Sequence, residues 1–185
     1  MKTLLLILSA LFFLSCSSRD KVIEEKTEIF IEVDGQIKTV QDAQETFLEK
    51  REAWEQLDIK KYRFTRTHKY YFPYDKPITM VVEDGKDVVI VDQDLLPPQL
   101  AEYPINIYFK SISELFSSIN YHLYDFIENI ENITEENLIK TLFLKIDYDE
   151  VYHYPKEYSI YAHYVYPYVV GGSTTVKVTE FVMLE

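Results

Sequence analysis

The chain has 185 residues, of which 47% are hydrophobic and 27% charged, so it can bury a core and does not have the composition of a disordered protein. Its 19 Lys and Arg residues against 31 Asp and Glu residues give a formal net charge of −12, which repels phosphate backbones and disfavours nucleic acid as a partner. The apolar run near the start covers residues 4–14, shorter than the roughly 18 residues that a membrane-spanning helix needs.

The start of the chain has the form of a secretory signal. A positive residue precedes the apolar run, and a small residue stands directly before Cys16, the only cysteine of the chain. The segment 13–16 resembles a bacterial lipobox, with Phe13 where leucine is usual. We therefore expect a lipoprotein signal peptide over 1–15 and lipidation of Cys16. The alternative is an ordinary secretory signal in which this thiol has no role.

Lipidation would fix the protein to a membrane of the bacterial cell envelope. A diacylglycerol on Cys16 together with an amide-linked acyl chain exceeds the two signals that stable anchoring takes. Ser17 follows the cysteine, which in the enterobacterial sorting pattern favours the outer membrane. Residues 16–27 are polar and highly charged, as is typical of a short solvated tether. They leave 28–185 as a single exported domain that has no internal disulfide.

The first half of this domain contains a predicted hairpin, a helix and a strand. Residues 28–38 surround the pair Asp34-Gly35, which is favoured where both turn residues need positive φ. A capping box followed by apolar residues at helical spacing predicts a helix over 39–58. The run 61–72 alternates instead, which predicts an antiparallel strand with one buried face.

The second half repeats this mixture of hairpins and helix. The clearest hairpin surrounds Asp84-Gly85, and prolines mark 92–104 as a surface crossover. A second capping box at Ser111 begins an apolar stripe that continues to Ile130. The remaining predicted elements are one further helical turn within 134–139, strands at 142–148, 158–168 and 174–184, and a turn at Gly171-Gly172.

Together these elements predict an α+β fold, an antiparallel β-sheet of hairpins with two helices packed on one face. The pattern lacks the regular βαβ alternation of a parallel sheet. With four glycines in the chain, no glycine-rich loop of the kind that cradles phosphate can be written. A parallel nucleotide-binding sheet is therefore disfavoured.

Several segments resemble, in order and spacing, a bacterial domain of unknown function, family 6174. They are residues 54–65, 78–92, 112–116, 146–149, 154–160 and 178–181. The resemblance covers about 45–185 and implies a small exported α+β domain or lipoprotein. It implies no activity, since none is established for the family. Many members have cysteines near the end of the first strand, where this chain has 68–72 without cysteine, so no redox role carries over.

Tyrosine is the one compositional excess, with 16 residues in the chain. On the predicted strand after Tyr158, both Tyr161 and His163 point away from the face that Tyr158 occupies. Exposed tyrosine offers rigid amphipathic area at low entropic cost, so Tyr152, Tyr154, Tyr161 and His163 form the predicted binding surface. The alternative is ordinary packing of aromatic residues within a sheet.

Carboxylates and an imidazole cluster between two of the predicted strands. Asp147, Asp149 and His153 fall within seven residues and are weak candidates for holding a divalent cation. The alternative is a hairpin end, where aspartate is common for reasons of turn geometry. No other cofactor is expected.

The leading functional hypothesis is a lipid-anchored, non-catalytic binding module, with an envelope protein or a glycan as its partner. An acyl-transfer enzyme is disfavoured, because the mature chain has neither an available cysteine nor a G-x-S-x-G motif. The alternatives are a metal-assisted cleft enzyme and a purely structural envelope assembly factor.

Replacing the thiol at the start of the mature chain tests the anchor. We expect Cys16→Ser to abolish metabolic labelling with palmitate and to move the protein from the membrane fraction to the soluble fraction, because no acyl chain can be attached. The double variant Cys16→Ser/Ser18→Cys keeps one thiol outside the lipobox and should also stay unlabelled. Firm membrane association of the Cys16→Ser protein would contradict the anchor.

Overall fold

A computed structural model of the protein describes residues 27–69, 76–85, 87–91, 111–130, 139–164 and 173–185. Its strands are β1 (Glu28–Val33), β2 (Gln36–Lys38), β3 (Tyr62–Lys69), β4 (Ile78–Glu83), β5 (Asp87–Ile90), β6 (Ile139–Tyr148), β7 (Pro155–Tyr164) and β8 (Ser173–Met183). Its helices are α1 (Val40–Gln56) and α2 (Ile112–Asn120), which continues as a π-helix (Tyr121–Phe126) and a last α-helical turn, α3 (Ile127–Ile130). The expected α+β class is confirmed. None of the helices in these ranges is both long and apolar enough to cross a membrane.

Some expectations lie outside the described residues. They are the signal peptide, lipidated Cys16, most of the tether, the crossover at 92–104, the helical turn expected after residue 133, and the turn at Gly171-Gly172.

The eight strands of the described ranges form one sheet in the order β2-β1-β6-β7-β8-β3-β4-β5. Every pairing is antiparallel except that of β1 with β6, which is parallel. The expectation of a purely antiparallel sheet is therefore wrong at this one pair. A parallel pair cannot be closed by a tight turn, and the chain between β1 and β6, which contains both helices and four other strands, supplies the crossover.

Both predicted hairpin turns are confirmed. Asp34 and Gly35 have φ angles of 50° and 74°, and Asp84 and Gly85 have φ angles of 50° and 72°. Positive φ at both central residues is the type I′ turn, whose twist matches that of the strands it joins. Each Asp-Gly pair therefore fixes the register of its own hairpin.

Both helices begin at the residues that the capping signals predict. The Thr39 hydroxyl accepts a hydrogen bond from the backbone N–H of Asp42 at 3.1 Å. Before α2, the Ser111 hydroxyl accepts the N–H of Glu114 at 3.3 Å, while the Glu114 carboxylate accepts the N–H of Ser111 at 2.7 Å. This reciprocal pair is a complete capping box. Beyond α1, Asp58 has a φ of 48°, a left-handed conformation that stops the helix.

The core lies on the face of the sheet that we call the inner face, where alternate side chains are buried. Its most enclosed members are Ile31 and Val33 on β1, Tyr62 and Phe64 on β3, Met80 and Val82 on β4, Leu144 and Ile146 on β6, Tyr158 on β7, and Val176 and Val178 on β8. Buried residues of α1 and α2 belong to the same cluster. Phe47 of α1 packs edge-on against Phe116 of α2, with ring centroids 6.0 Å apart. One core therefore joins the helices to each other and to the strands.

Phe47 and Leu48 are neighbours on α1 in opposite environments, since Phe47 is fully buried and Leu48 is 45% exposed. We expect Phe47→Ala to lower the free energy of unfolding by about 3–5 kcal/mol, because it empties part of a filled core. The matched variant Leu48→Ala should change that free energy by less than about 0.5 kcal/mol. Urea unfolding of the two purified variants measures both values, and equal losses would contradict this orientation of α1.

Candidate functional site

The outer face of the sheet, opposite the buried one, carries a row of aromatic rings. Phe30 of β1 lies opposite Phe143 of β6, which in turn lies opposite Tyr161 of β7. Phe30 and Tyr161 are each 42% exposed, and Phe143 between them is half-buried. Because neighbouring strands are about 4.8 Å apart, the three rings span roughly 10 Å. We call these three residues the aromatic row.

Polar side chains flank the aromatic row along the strands. Glu32, Lys145 and Ser159 lie in register on one side, and Glu28, Thr141 and His163 lie in register on the other. Lys145 Nζ is 3.0 Å from Asp147 Oδ2 and 3.9 Å from Glu157 Oε1. The hydrogen bond to Asp147 raises the pKa of Lys145 above its ordinary value. The arrangement is an apolar strip with a charged and polar rim.

Tyr152 and Tyr154, which the sequence groups with Tyr161 and His163, lie elsewhere. The ring of Tyr154 is buried, with its centroid 4.7 Å from that of Phe181. Tyr152 is half-buried against the same Phe181 ring, with centroids 5.1 Å apart. Tyr154 is therefore a core residue and does not belong to an exposed surface. Tyr161 and His163 are both exposed and lie on the outer face.

The three weak metal candidates have separate roles. Asp149 Oδ1 accepts the N–H of Val151 at 3.0 Å and that of Tyr152 at 2.7 Å, so this carboxylate holds the turn before β7. Asp147 pairs with Lys145, and His153 has a φ of 62° within the turn. In the described part of the chain, no three His, Cys, Asp or Glu side chains are grouped so that they could hold a metal ion.

The inner face contains a buried charge that is not among the residues predicted above to form a site. Arg66 of β3 lies between Ile78 of β4 and Val178 of β8, and it is 5% exposed. Its Nε and Nη1 atoms are enclosed and have no hydrogen-bond partner among the described residues. Burial lowers the pKa of the Arg66 guanidinium to about 10, and the nearby charge of Glu114 opposes this shift.

A stripe of polar side chains on α2 and its π-helical continuation begins near Arg66. Glu114, Ser118 and His122 follow at four-residue intervals, so they share one face, and all three are half-buried. At one end of the stripe, Glu114 acts electrostatically on Arg66. At the other, His122 Nδ1 is within hydrogen-bond distance of the Tyr158 hydroxyl on β7, and it lies 2.8 Å from the carbonyl oxygen of Ser118. We call these five residues the polar seam.

The seam ends in the π-helix, a form that is rare and frequently found at functional sites. In this segment Leu123 is fully buried while His122 reaches strand β7. The side chain of Gln44 on α1 donates from Nε2 to the carbonyl oxygen of Leu123 at 2.9 Å. This contact supplies a donor to the wider turn of the π-helix and ties α1 to the seam.

One signal for the seam was present in the sequence. Arg66 has the same parity along β3 as the buried Tyr62 and Phe64, so alternation alone places an arginine on an apolar face. The contact between His122 and Tyr158 joins residues 36 positions apart, and no local pattern predicts it.

Comparison with protein-family models finds no match for this chain, and neither the comparison with curated proteins nor that with solved structures finds one. The resemblance to family 6174 therefore stays a prediction.

Tyr62 of β3 contacts the start of α2 through its phenol, and we expect this phenol to make the fold less stable at alkaline pH. Its oxygen accepts the N–H of Ile112 at 3.1 Å, and burial raises its pKa from the ordinary 10.0 to about 12. Below pH 10 the contribution of Tyr62 is complete. Between pH 10 and 12 the unfolded state alone releases this proton, so stability falls by up to about 1.4 kcal/mol per pH unit.

We therefore expect Tyr62→Phe to release about one proton fewer on unfolding between pH 10 and 12. Its free energy of unfolding should then fall less steeply with pH than that of the wild type. The variant also lacks the hydrogen bond to Ile112. That loss lowers the free energy of unfolding at every pH and is separate from the change in slope. Urea unfolding at a series of pH values between 9 and about 12 measures the slope. An unchanged slope in Tyr62→Phe would mean that the phenol does not retain its proton in the folded state.

Proposed function

We propose that this protein is a lipid-anchored, non-catalytic binding module of the bacterial envelope, and that the aromatic row binds an envelope protein. The observation that carries the proposal is the row itself, with Phe30 and Tyr161 each 42% exposed on either side of Phe143. Aromatic rings left in water lose the free energy that burial would provide, and contiguous exposed apolar patches mark interaction sites. A partner that covers the row recovers that free energy.

We also infer that both helices cover the inner face and leave the outer face accessible. The start of α2 is held at β3 by the hydrogen bond from Ile112 to Tyr62, and His122 reaches Tyr158 on β7. β3 and β7 are two strand spacings, roughly 10 Å, apart, whereas Tyr62 is level with Met183 of β8 and Tyr158 is level with Val176, roughly 20 Å along the strands. Helix α2 therefore passes from β3 towards β7 while running mainly along the strands. Trp54 of α1 packs edge-on against Tyr62 on the same face, with ring centroids 5.6 Å apart.

The extent of the outer face favours a protein over a glycan. Seven spacings of about 4.8 Å make the sheet roughly 34 Å wide, and strands of six residues are roughly 20 Å long. Exposed apolar side chains continue beyond the row, with Ile37 on β2 67% exposed and Val89 on β5 50% exposed. A standard interface takes about 800 Å² from each protein, an area of the same order. A sugar chain stacked on the row would cover only its rings.

Charge around the row indicates what the partner presents. Glu32 and Glu157 stand at the rim, and Lys145 is already paired with Asp147 and Glu157. The whole chain carries a net charge of −12. An apolar centre with a charged rim is the usual anatomy of a protein interface, and complementary charge accelerates association. We therefore expect a partner whose contact surface is apolar at its centre and basic around it.

The predicted anchor places this interaction close to a membrane. The tether over 16–27 has twelve residues and reaches at most roughly 40 Å when fully extended. Strand β1 begins directly after it, and Phe30 is the third residue of that strand. The resemblance to a family of exported proteins supports the same location. The partner we propose is therefore a protein embedded in, or lying against, the same membrane.

Site-specific crosslinking in living cells tests the proposal. We expect a photoreactive residue at position 161 to give one discrete crosslinked protein in the envelope fraction. Replacing Phe30 with Ala in that same chain should remove the crosslink, because an aromatic anchor of an interface contributes about 2 kcal/mol, roughly thirtyfold in affinity. The matched control places the photoreactive residue at Tyr121, which is 51% exposed on the π-helix and should give no such product.

Two results would contradict the proposal. Crosslinking of equal strength from positions 161 and 121 would show that the row has no special role. Loss of retention on insoluble envelope saccharide in Tyr161→Ala, with no crosslinked protein from position 161, would identify a glycan in place of a protein. The urea midpoint of Phe30→Ala is measured alongside, so that a general loss of folding is distinguished from a loss of binding.

A further inference from the structure

Arg66 is a buried charge, and two of its three guanidinium nitrogens lack acceptors within the described part of the chain. It is 5% exposed, and its Nε and Nη1 atoms have no hydrogen-bond partner. Removing a guanidinium from water without such partners is strongly unfavourable. An unsatisfied buried group in a folded protein calls for an explanation, and a bound ion is one of the usual ones.

Glu114 does not provide the missing acceptor. Its Oε2 atom accepts the backbone N–H of Ser111 at 2.7 Å, as the capping box of α2 requires. It acts on Arg66 through its charge, but a charge at a distance leaves the N–H groups on Nε and Nη1 unpaired. The start of the seam thus has a counter-charge nearby and still lacks acceptors for these two nitrogens.

The far end of the seam offers groups of another kind. His122 and Tyr158 are within hydrogen-bond distance of each other, and burial raises the pKa of the Tyr158 phenol, which keeps it neutral. Arg66 and Tyr158 stand on strands two spacings apart and two residues out of register, roughly 12 Å at the backbone. Between them the inner face presents the apolar side chains of Val176 and Val178.

We infer that the polar seam is a binding site for a small organic carboxylate, with the carboxylate group on Arg66 and a polar group of the same molecule at His122 and Tyr158. The planar guanidinium matches a carboxylate through paired N–H donors. A monoanion fits better than phosphate, because Glu114 would repel a second negative charge. The apolar floor suits the body of an aromatic or short-chain acid.

This site is separate from the aromatic row. Arg66 and Tyr158 are on the inner face, whereas Tyr161 is on the outer face. The atoms of Arg66 that lack partners are enclosed, so a ligand reaches them only when the elements packed over this arginine move apart. Once inside, the charge-assisted hydrogen bonds would act in an environment where they are strong.

The test uses the full lipid-anchored chain in detergent, with sodium benzoate and sodium 4-hydroxybenzoate as probes. We expect each probe to raise the urea midpoint of the wild-type protein in a saturable way, relative to chloride at the same ionic strength. Because its hydroxyl extends toward the far end of the seam, 4-hydroxybenzoate should half-saturate at least about threefold lower than benzoate. His122→Ala should remove that difference and keep the response to benzoate.

Arg66→Met is the decisive variant. Without any probe, its urea midpoint should exceed that of the wild type, because an unpaired buried charge is replaced by an apolar side chain. It should not respond to either probe. Arg63→Met is the matched control, since Arg63 lies on the same strand with its side chain exposed, and it should respond as the wild type does. Arg66→Lys keeps the charge without the planar fork and should bind benzoate at least about tenfold more weakly.

Three outcomes would overturn the inference. A midpoint for Arg66→Met far below that of the wild type would mean that the chain itself satisfies this arginine. No rise with either carboxylate would exclude the ligand class. A rise in the urea midpoint with inorganic phosphate, but not with the carboxylates, would show that the site binds phosphate and not a carboxylate. None of these results bears on crosslinking at position 161, so the two proposals fail separately.

Discussion

The rest of the fold depends on the pairing of β3 with β8, which joins the meander β6-β7-β8 to the meander β3-β4-β5. Thr179 and Thr65, which face each other in this pair, are 114 residues apart along the chain. Closing a loop of that length loses much conformational entropy before any contact forms. Side chains reinforce the ladder, since the Thr65 hydroxyl donates to Glu180 Oε2 at 2.7 Å and lies 3.1 Å from the Thr79 hydroxyl. These two contacts of the Thr65 hydroxyl link β3 to β4 and to β8.

A bulge in β8 determines which side chain at the end of that strand packs against α1. Val178 is buried on the inner face, and strict alternation would place Glu180 inside and Phe181 outside. Instead Glu180 has a φ of 53°, and the register of β3 with β8 shifts beside it. Phe181 therefore turns inward, and its ring centroid lies 5.8 Å from that of Trp54 on α1. One residue in a left-handed conformation brings the last strand into the aromatic core.

Local structure could be predicted from sequence, and long-range structure could not. The Asp34-Gly35 turn and the Ser111 cap each depend on a few adjacent residues, and both are present as expected. The parallel pairing of β1 with β6 was missed, because alternation shows which side chains are buried but not which strand lies alongside. The candidate sites divide in the same way. Alternation placed Tyr161 on the outer face, yet nothing local to it identified Phe30 as a neighbour two strands away.

Both candidate sites are departures from rules that the remainder of the domain obeys. The aromatic row is exposed on the outer face, and the charge of Arg66 is enclosed on the inner face. At each place a residue of the usual polarity would make the fold more stable. Strand β7 contributes to both, with Tyr158 pointing into the seam and Tyr161 into the row. Because residues of opposite parity on a strand point to opposite faces, the two tyrosines share a backbone without sharing contacts. A substitution on one face is therefore a fair control for binding on the other.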